Sequence, residues 1–473
     1  MCRHELRRSL LLIATYAALW VFWVGFADGV APNIIAAAYN ERSLSVLNWV
    51  FQGHRSLPIE HYLESWRVVA AAVQIATILH LVIVLFIRRI DRKHRLLLLK
   101  TPRADLYTNF ILIAFSAAFL ALTALSWIHG DYRAYLFEWM TVLAGRNPWL
   151  YRPLNAYGPL FNVLAPLVWV NPLANKLLFA FSYLLYLVWL IKDFAPRRGL
   201  VALSWPWLVF WLLNPFPWVQ IAYFGYFDVL VALACVAAVH SLVGNKDGAS
   251  GTYLAFGILL KYMPVVVLPF LVFSERRVHF RVLCFCVGVV IFGLVVSVLI
   301  WGKLALWPLL FAATRGSQWS IYDVLASTHS PLRLFWDPPN GHSLDWLEKP
   351  FLVTAGLGIF AWCVLRRTGP ALSAALAVLA TLLFYQVGFI NYQMVPFFLI
   401  SYWVVSEWQQ LVERSVLAVL LGGYFGLLAL LDLVHWSDFT VAGDIVYSNI
   451  VVFKFLLGCS LLVVLAQFST SRN

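Results

Sequence analysis

The sequence predicts an all-α, polytopic transmembrane helical bundle of about 12–14 helices, and three observations carry that expectation. Hydrophobic residues make up 62% of the 473-residue chain and charged residues only 12%. Apolar runs about 20 residues long recur along its length, each enough to cross a hydrocarbon core roughly 30 Å thick. Lys and Arg gather in short segments between those runs, as in a chain whose loops are sorted by charge. The short alternating segments of a β-barrel are absent. A net charge of +12 would also suit a nucleic-acid binder. The clustering instead assigns the cations to topology and anionic lipid, so membrane lipids, and not nucleic acid, are the expected partners.

Taken in order, the first run, 9–27, follows MCRHELRR and reads as a retained signal anchor, being long and without a small-residue cleavage site. With a second span at 67–88 it forms an added unit, residues 1–104, ahead of a core at 105–473. The stretch 34–49 in the loop between them is partly amphipathic and suits the surface of a leaflet. Further spans are expected at 107–128, 174–192, 224–243, 282–301, 351–366, 370–387, 415–434 and 447–466, with shorter ones at 200–214 and 393–407. Two segments are irregular. The run 158–170 is too short to cross alone and should be interfacial or re-entrant. The run 252–273 is interrupted by Pro264, so two half-helices are expected to meet near Lys261, in backbone tolerated only where it lines a cavity. Four basic clusters, at the N-terminus, at 88–103, near Arg197 and near Arg276, are expected on the cytoplasmic side. Residues 28–66, 129–173, 302–350 and a tight turn at Asn391 then face outside.

The six cysteines, Cys2, Cys235, Cys284, Cys286, Cys363 and Cys459, have no zinc-type spacing, and neither disulfides nor a metal site is expected. The densest candidate chemistry lies around Asp131, just past a long apolar helix and ahead of what reads as a loop rich in Arg, Trp and Tyr. An isolated Asp there would only cap a helix. Its company, Arg133, Glu138, Arg146, Arg152 and Tyr157 on the same side of the membrane, points instead to a general base beside cations. Lys261, followed by Tyr262, is costly inside an apolar segment, by about 3 kcal/mol at mid-membrane, and calls for a partner or for snorkelling to the interface. Asp228 suits either helix-dipole compensation or a hydrogen bond to ligand hydroxyls. Arg315, His329 and Arg333 add cations on the outside. Asn391, Tyr392 and Gln393 interrupt two apolar runs, and Trp139, Trp149 and Trp319 are aromatic faces for a ligand to pack on.

The runs GDYRAYLFEWMTVLAGRNPWLYRPLNAYGPL, LANKLLFAFSYLL, WLLNPFPWVQIAYFGYFDVLVAL and GILLKYMPVVVLPFLV, in that order between about Asn109 and Tyr402, resemble the GT-C glycosyltransferases. The likeness is to polyprenyl- or dolichyl-phosphate-mannose-dependent mannosyltransferases, including the first mannosyltransferase of GPI-anchor synthesis and bacterial phosphatidylinositol-mannoside enzymes. It implies a GT-C-like catalytic core at 105–473, Asp131 as catalytic base, and Lys261 and the Asn391–Gln393 segment facing a lipid-phosphate donor. It further implies transfer of a hexose, most simply mannose, from a polyprenyl-phosphate donor to a lipid-linked or glycan acceptor, with inversion. The implied place is the outer face of a bacterial plasma membrane, or the ER membrane in a eukaryote, in glycolipid synthesis of the cell envelope. Some members carry Asp-x-Asp, whereas this chain has His129 at the first Asp, so no cofactor and no divalent metal is expected. A transporter or flippase would also use broken helices and an intramembrane Lys, but no inverted repeat is evident. An O-antigen ligase or polymerase would lean on a large late outside loop, and an inactive homologue would not keep Asp131.

All these roles require Asp131 and Arg197 on opposite sides. In a Cys-free background, Arg146→Cys and Arg197→Cys should label with an impermeant thiol reagent from opposite faces. Labelling from one face would remove 158–170 as an interfacial segment.

Overall fold

A computed structural model of the chain describes residues 102–126, 128, 131–150, 157–194, 212, 214–274, 277–314, 320–322, 345–385, 387–406, 415–436 and 443–468, with 21, 25, 29, 32, 33 and 36 before them. The expected unit 1–104 and spans 9–27, 67–88 and 200–214 lie wholly or almost wholly outside these residues, as do the stretch 34–49 and the basic clusters at the N-terminus, 88–103 and Arg197.

Among the described residues the chain is helical, without β-strands. The long helices are α1 (Pro102–Leu125), α2 (Asp131–Leu143), α3 (Ala174–Trp189), α4 (Asp228–Val243), α5 (Asp247–Leu260) and α6 (Phe280–Trp301). They are followed by α7 (Asp345–Arg366), α8 (Pro370–Phe384), α9 (Met394–Ser406), α10 (Ser415–Trp436) and α11 (Gly443–Phe468). Three stretches are long and apolar enough to cross a membrane, Ala174–Asp193, Phe280–Phe311 and Glu348–Arg366, and shorter apolar helices accompany them.

The bundle is layered by composition. α8 and α9 are apolar all round and buried on nearly every side, as such helices must be. α8 packs against α7, α9 and α11, and α9 also meets α4. On the other side of α4 lies α5, and beyond it α6. A Cβ on Gly251 of α5 would come within 2.4 Å of the Val282 carbonyl oxygen, so the small residue sets how closely α5 and α6 pack. α6 itself is mostly exposed and apolar.

The irregular segments are where charge and length arguments expect them. Residues 158–170 form no span: a 3₁₀ turn, Pro159–Leu164, is followed by the single turn Leu167–Val170. The run 252–273 breaks at Lys261, whose backbone is extended (φ −158°, ψ 127°) between α5 and the short pieces Met263–Val267 and Leu268–Val272. Pro264 and Pro269 lack the N–H groups that would continue the helix. Two expectations are corrected. The segment after Asp131 is not a loop as far as Leu143 but α2, because Tyr132, Tyr135 and Trp139 recur at helical spacing and bury one face. The span expected from 224 starts at Asp228, since Gly225 adopts φ +72° and a π-helical turn, Trp218–Tyr223, precedes it.

Gly158 makes the closest approach. A Cβ there would lie 2.1 Å from the Leu259 carbonyl oxygen, and its own N–H donates to the Leu260 carbonyl at 2.9 Å. Gly158→Ala should therefore destabilise the protein by about 1–3 kcal/mol, seen as a lower unfolding midpoint in detergent. An unchanged midpoint would show that this contact relaxes freely.

Candidate active site

The site is built where the broken α5 meets three other segments. Lys261, released from the helix, forms an isolated antiparallel bridge with Tyr157. Its ammonium donates to Asp228 Oδ1 at 2.5 Å, with both side chains buried. Asp228 is the first residue of α4, where a carboxylate suits the helix N-terminus. Its Oδ2 accepts from Asn391 Nδ2 at 3.2 Å. The Lys261 ammonium also stands 3.6 Å from the Tyr392 ring centroid and 5.3 Å from that of Phe227, within cation–π range. Asp228, Lys261 and the Asn391–Tyr392 turn, from three segments far apart in sequence, thus meet around one ion pair.

Above this pair rises an aromatic wall. The Tyr157 ring meets Tyr135 at 5.3 Å, Phe227 at 5.0 Å and Phe161 at 4.7 Å. Trp139 stacks on Phe161 at 4.9 Å and donates its ring N–H to the Phe161 carbonyl at 3.1 Å. Asp131, Tyr135 and Glu138 share one face of α2, at i, i+4 and i+7. Burial, and after it the Asp131 carboxylate, holds the Tyr157 hydroxyl well above the ordinary phenol range, with Tyr392 and Glu138 adding in the same direction. Burial, Tyr157, Asp131 and Asp228 do the same to Tyr135. Asp131 and Asp228 therefore both act on the aromatic wall.

A second brace fixes the spacing. Lys176 of α3 is fully buried, and its ammonium donates to Ser126 Oγ, just past α1, and to the Tyr223 carbonyl, each at 2.7 Å. Ser126 Oγ itself donates to the Ala222 carbonyl at 3.0 Å. The Tyr132 hydroxyl donates to the Pro172 carbonyl at 2.6 Å and accepts from the Lys176 backbone N–H at 3.2 Å. Gly225 lets the chain pass over the lysine stem, where a Cβ would fall 2.7 Å from Lys176 Cγ. The segments leading into Asp131 and Asp228 are thereby tied to one side chain.

Several expected residues sit differently. Arg133 is exposed on the face of α2 opposite Asp131, and Arg146 is exposed beyond the helix end. Asn391, Tyr392 and Gln393 form the expected tight turn, a 3₁₀ turn whose residues are buried within the protein. Gln393 is fully buried, and among the described residues neither its amide nitrogen nor its oxygen has a hydrogen-bond partner. Tyr262 leads into the short helix after Lys261, its hydroxyl buried and likewise without a partner among them. Trp139 and Trp149 pack on Phe161 and Trp301 and present no open ring face. Arg152, Arg315, Trp319, His329 and Arg333 lie outside the described residues. Lys176 is a residue that the sequence pattern offered and the expectations above do not name, as is Lys454, whose buried ammonium donates to the Gly388 carbonyl at 2.7 Å. The signal for each was the one used for Lys261, a lysine inside an apolar run.

Residues 149–387, just over half of the chain, match the model of glycosyltransferase family 87. Together with the apolar helices, this defines a membrane glycosyltransferase of the GT-C type. The chain belongs to glycosyltransferase family 87. The matched stretch contains Tyr157, Asp228 and Lys261; Asp131 precedes it and Asn391 follows it.

Removing one partner of a buried ion pair leaves the other charge uncompensated and typically costs about 3–5 kcal/mol. Lys261→Met should show such a loss in SDS-driven unfolding from mixed micelles. Adding Asp228→Asn to Lys261→Met should recover part of it, so the double-mutant cycle should give a coupling larger than its error. Additive losses would mean that the pair is not formed.

Proposed function

We propose that this protein transfers a hexosyl group, mannose in the simplest reading, from a polyprenyl-phosphate donor to a lipid-linked or glycan acceptor on the extracytoplasmic face. Asp131 is the catalytic base. The observations that carry this reading are the family match over 149–387 and the placement of Asp131 on the face of α2 that bears Tyr135, whose ring packs on Tyr157 and Phe227 beside the Lys261–Asp228 pair. A carboxylate at the rim of such a wall takes the proton of an acceptor hydroxyl as its oxygen attacks the anomeric carbon from the face opposite the phosphate. The bond from that carbon to the phosphate oxygen breaks, its electron pair leaves with the polyprenyl phosphate, and the configuration inverts. The departing phosphate needs no proton, only positive charge.

Lys261 is largely neutralised by Asp228, so in this reading the pair and Asn391 position the donor pocket. The main countercharge for the phosphate comes from Arg152, Arg315, His329 and Arg333. Tyr157, Tyr262, Tyr392 and Gln393 supply polar edges to sugar hydroxyls, and Glu138 stands two turns along the same face of α2 from Asp131. Arg133 and Arg146, exposed beside the site, meet lipid or acceptor headgroups. With His129 where an Asp-x-Asp motif would begin, the reaction needs no bridging metal. A lipid donor fits a site on the side of the membrane to which nucleotide sugars are not supplied. The place proposed is the bacterial plasma membrane, or the ER membrane in a eukaryote.

Asp131→Asn keeps shape and removes the base. Turnover of polyprenyl-phosphate-mannose in nanodiscs, read as product formed, should fall by about 10²- to 10⁴-fold, with donor binding retained. Near-normal turnover would transfer the role to Glu138. Failure with mannose but activity with another polyprenyl-phosphate hexose would keep the mechanism and change the sugar.

A further inference from the structure

At the end of α4 opposite Asp228, the turn into α5 and the approach to α6 form an open surface cavity of about 490 Å³ lined by Lys246, Asp247, Arg277, His279 and Arg281, with Asn245 and Gly248. The turn is fixed by backbone hydrogen bonds, Lys246 N–H to the Ser241 carbonyl at 2.8 Å and Asn245 N–H to the Leu242 carbonyl at 2.9 Å, with Asn245 at φ 57°. Among the described residues Asp247 is the one carboxylate lining the cavity, and His279 Nδ1 lies 3.2 Å from both of its oxygens. Among these residues three permanent cations, Lys246, Arg277 and Arg281, face one carboxylate that already has a partner, and the cavity favours an anion.

The surroundings say which kind. Val278 and Phe280, at the mouth, are 63% and 64% exposed. From Arg281 a stripe of exposed residues descends α6 at alternating spacings of four and three, through Phe285, Gly288, Phe292, Val295 and Leu299. From Phe285 to Leu299 it covers roughly 20 Å of helix axis, more than the roughly 15 Å of one leaflet. A soluble anion has no use for an apolar track that begins at its binding pocket. We propose that this cavity holds the phosphate headgroup of an anionic glycerophospholipid whose acyl chains lie along the α6 stripe, at the membrane face away from the transfer site. It is a lipid site separate from the donor and acceptor sites and does not depend on the transfer chemistry. Basic pockets between helices at that face of a membrane bind such headgroups.

The test is native mass spectrometry of the full chain in detergent, titrated with phosphatidylglycerol or with phosphatidylcholine of the same acyl chains. One phosphatidylglycerol should be retained in preference to phosphatidylcholine. Arg277→Gln with Arg281→Gln should weaken that retention roughly 30-fold, and Lys246→Gln alone about fivefold. The charge-matched control, Arg366→Gln with Arg367→Gln at the exposed C-terminal end of α7 and the turn after it, should leave it unchanged. Equal losses in test and control variants would overturn the site, as would no loss in either. Displacement of phosphatidylglycerol by equimolar glycerol 3-phosphate would overturn the lipid and leave a site for a soluble anion.

Discussion

The rest of the site depends on one buried ion pair. Lys261 can reach Asp228 only because the α5 helix ends at Leu260 and the next backbone unit is extended. That same extended unit lets Tyr157 pair with it. Two buried charges are expensive, and the cost is offset only when geometry is close and spare polar atoms are bonded. Here Asp228 gains Asn391 and the lysine gains the Tyr392 ring. The breaks in the helices are thus the condition for the pair, which adds a polar tie to segments that also meet through packing and through the Gly158 N–H bond to the Leu260 carbonyl.

Lys176 works on the same principle at a second point. It binds a hydroxyl and a backbone carbonyl in the region where helical hydrogen bonding has been interrupted by the π-helical turn and Gly225. Unsatisfied carbonyls are costly away from water, and a lysine ammonium can satisfy more than one at once. Beside the Lys261 pair stands the aromatic wall, whose rings touch edge to face or tilted at 4.7 to 5.4 Å. Such contacts fix ring orientation as well as position. A transfer reaction that relies on placing a hydroxyl, an anomeric carbon and a base in line benefits from walls that do not move.

The molecule is also divided along α4. One end carries Asp228 and the proposed transfer site, and the other carries a cationic cavity at the root of an exposed apolar helix. α6 buries little of itself against the bundle, which suits an element that meets lipid on most of its surface. The close α5–α6 contact at Gly251 keeps this outer helix attached and leaves its far side apolar.

The sequence by itself determined the helical class, the break at Lys261 and the shortness of 158–170. These follow from length, proline placement and the cost of charge in hydrocarbon, all of which are local. It singled out Asp131, Asp228, Lys261 and Asn391 as polar residues in apolar surroundings, but not which of them touch. It missed Lys176 although the same signal was present, and it read α2 as a loop because the aromatic spacing was masked by Arg, Asn and Pro further on. Only the tertiary structure decided that Lys261 pairs with Asp228, that the Asn391–Gln393 turn is buried, and that Arg133 points away from Asp131. Those are contacts between segments up to 163 residues apart or the facing of a helix, and no local pattern encodes them. They depend on how α4, α5, α8 and α9 pack, which is decided by the fit of their apolar surfaces as a whole.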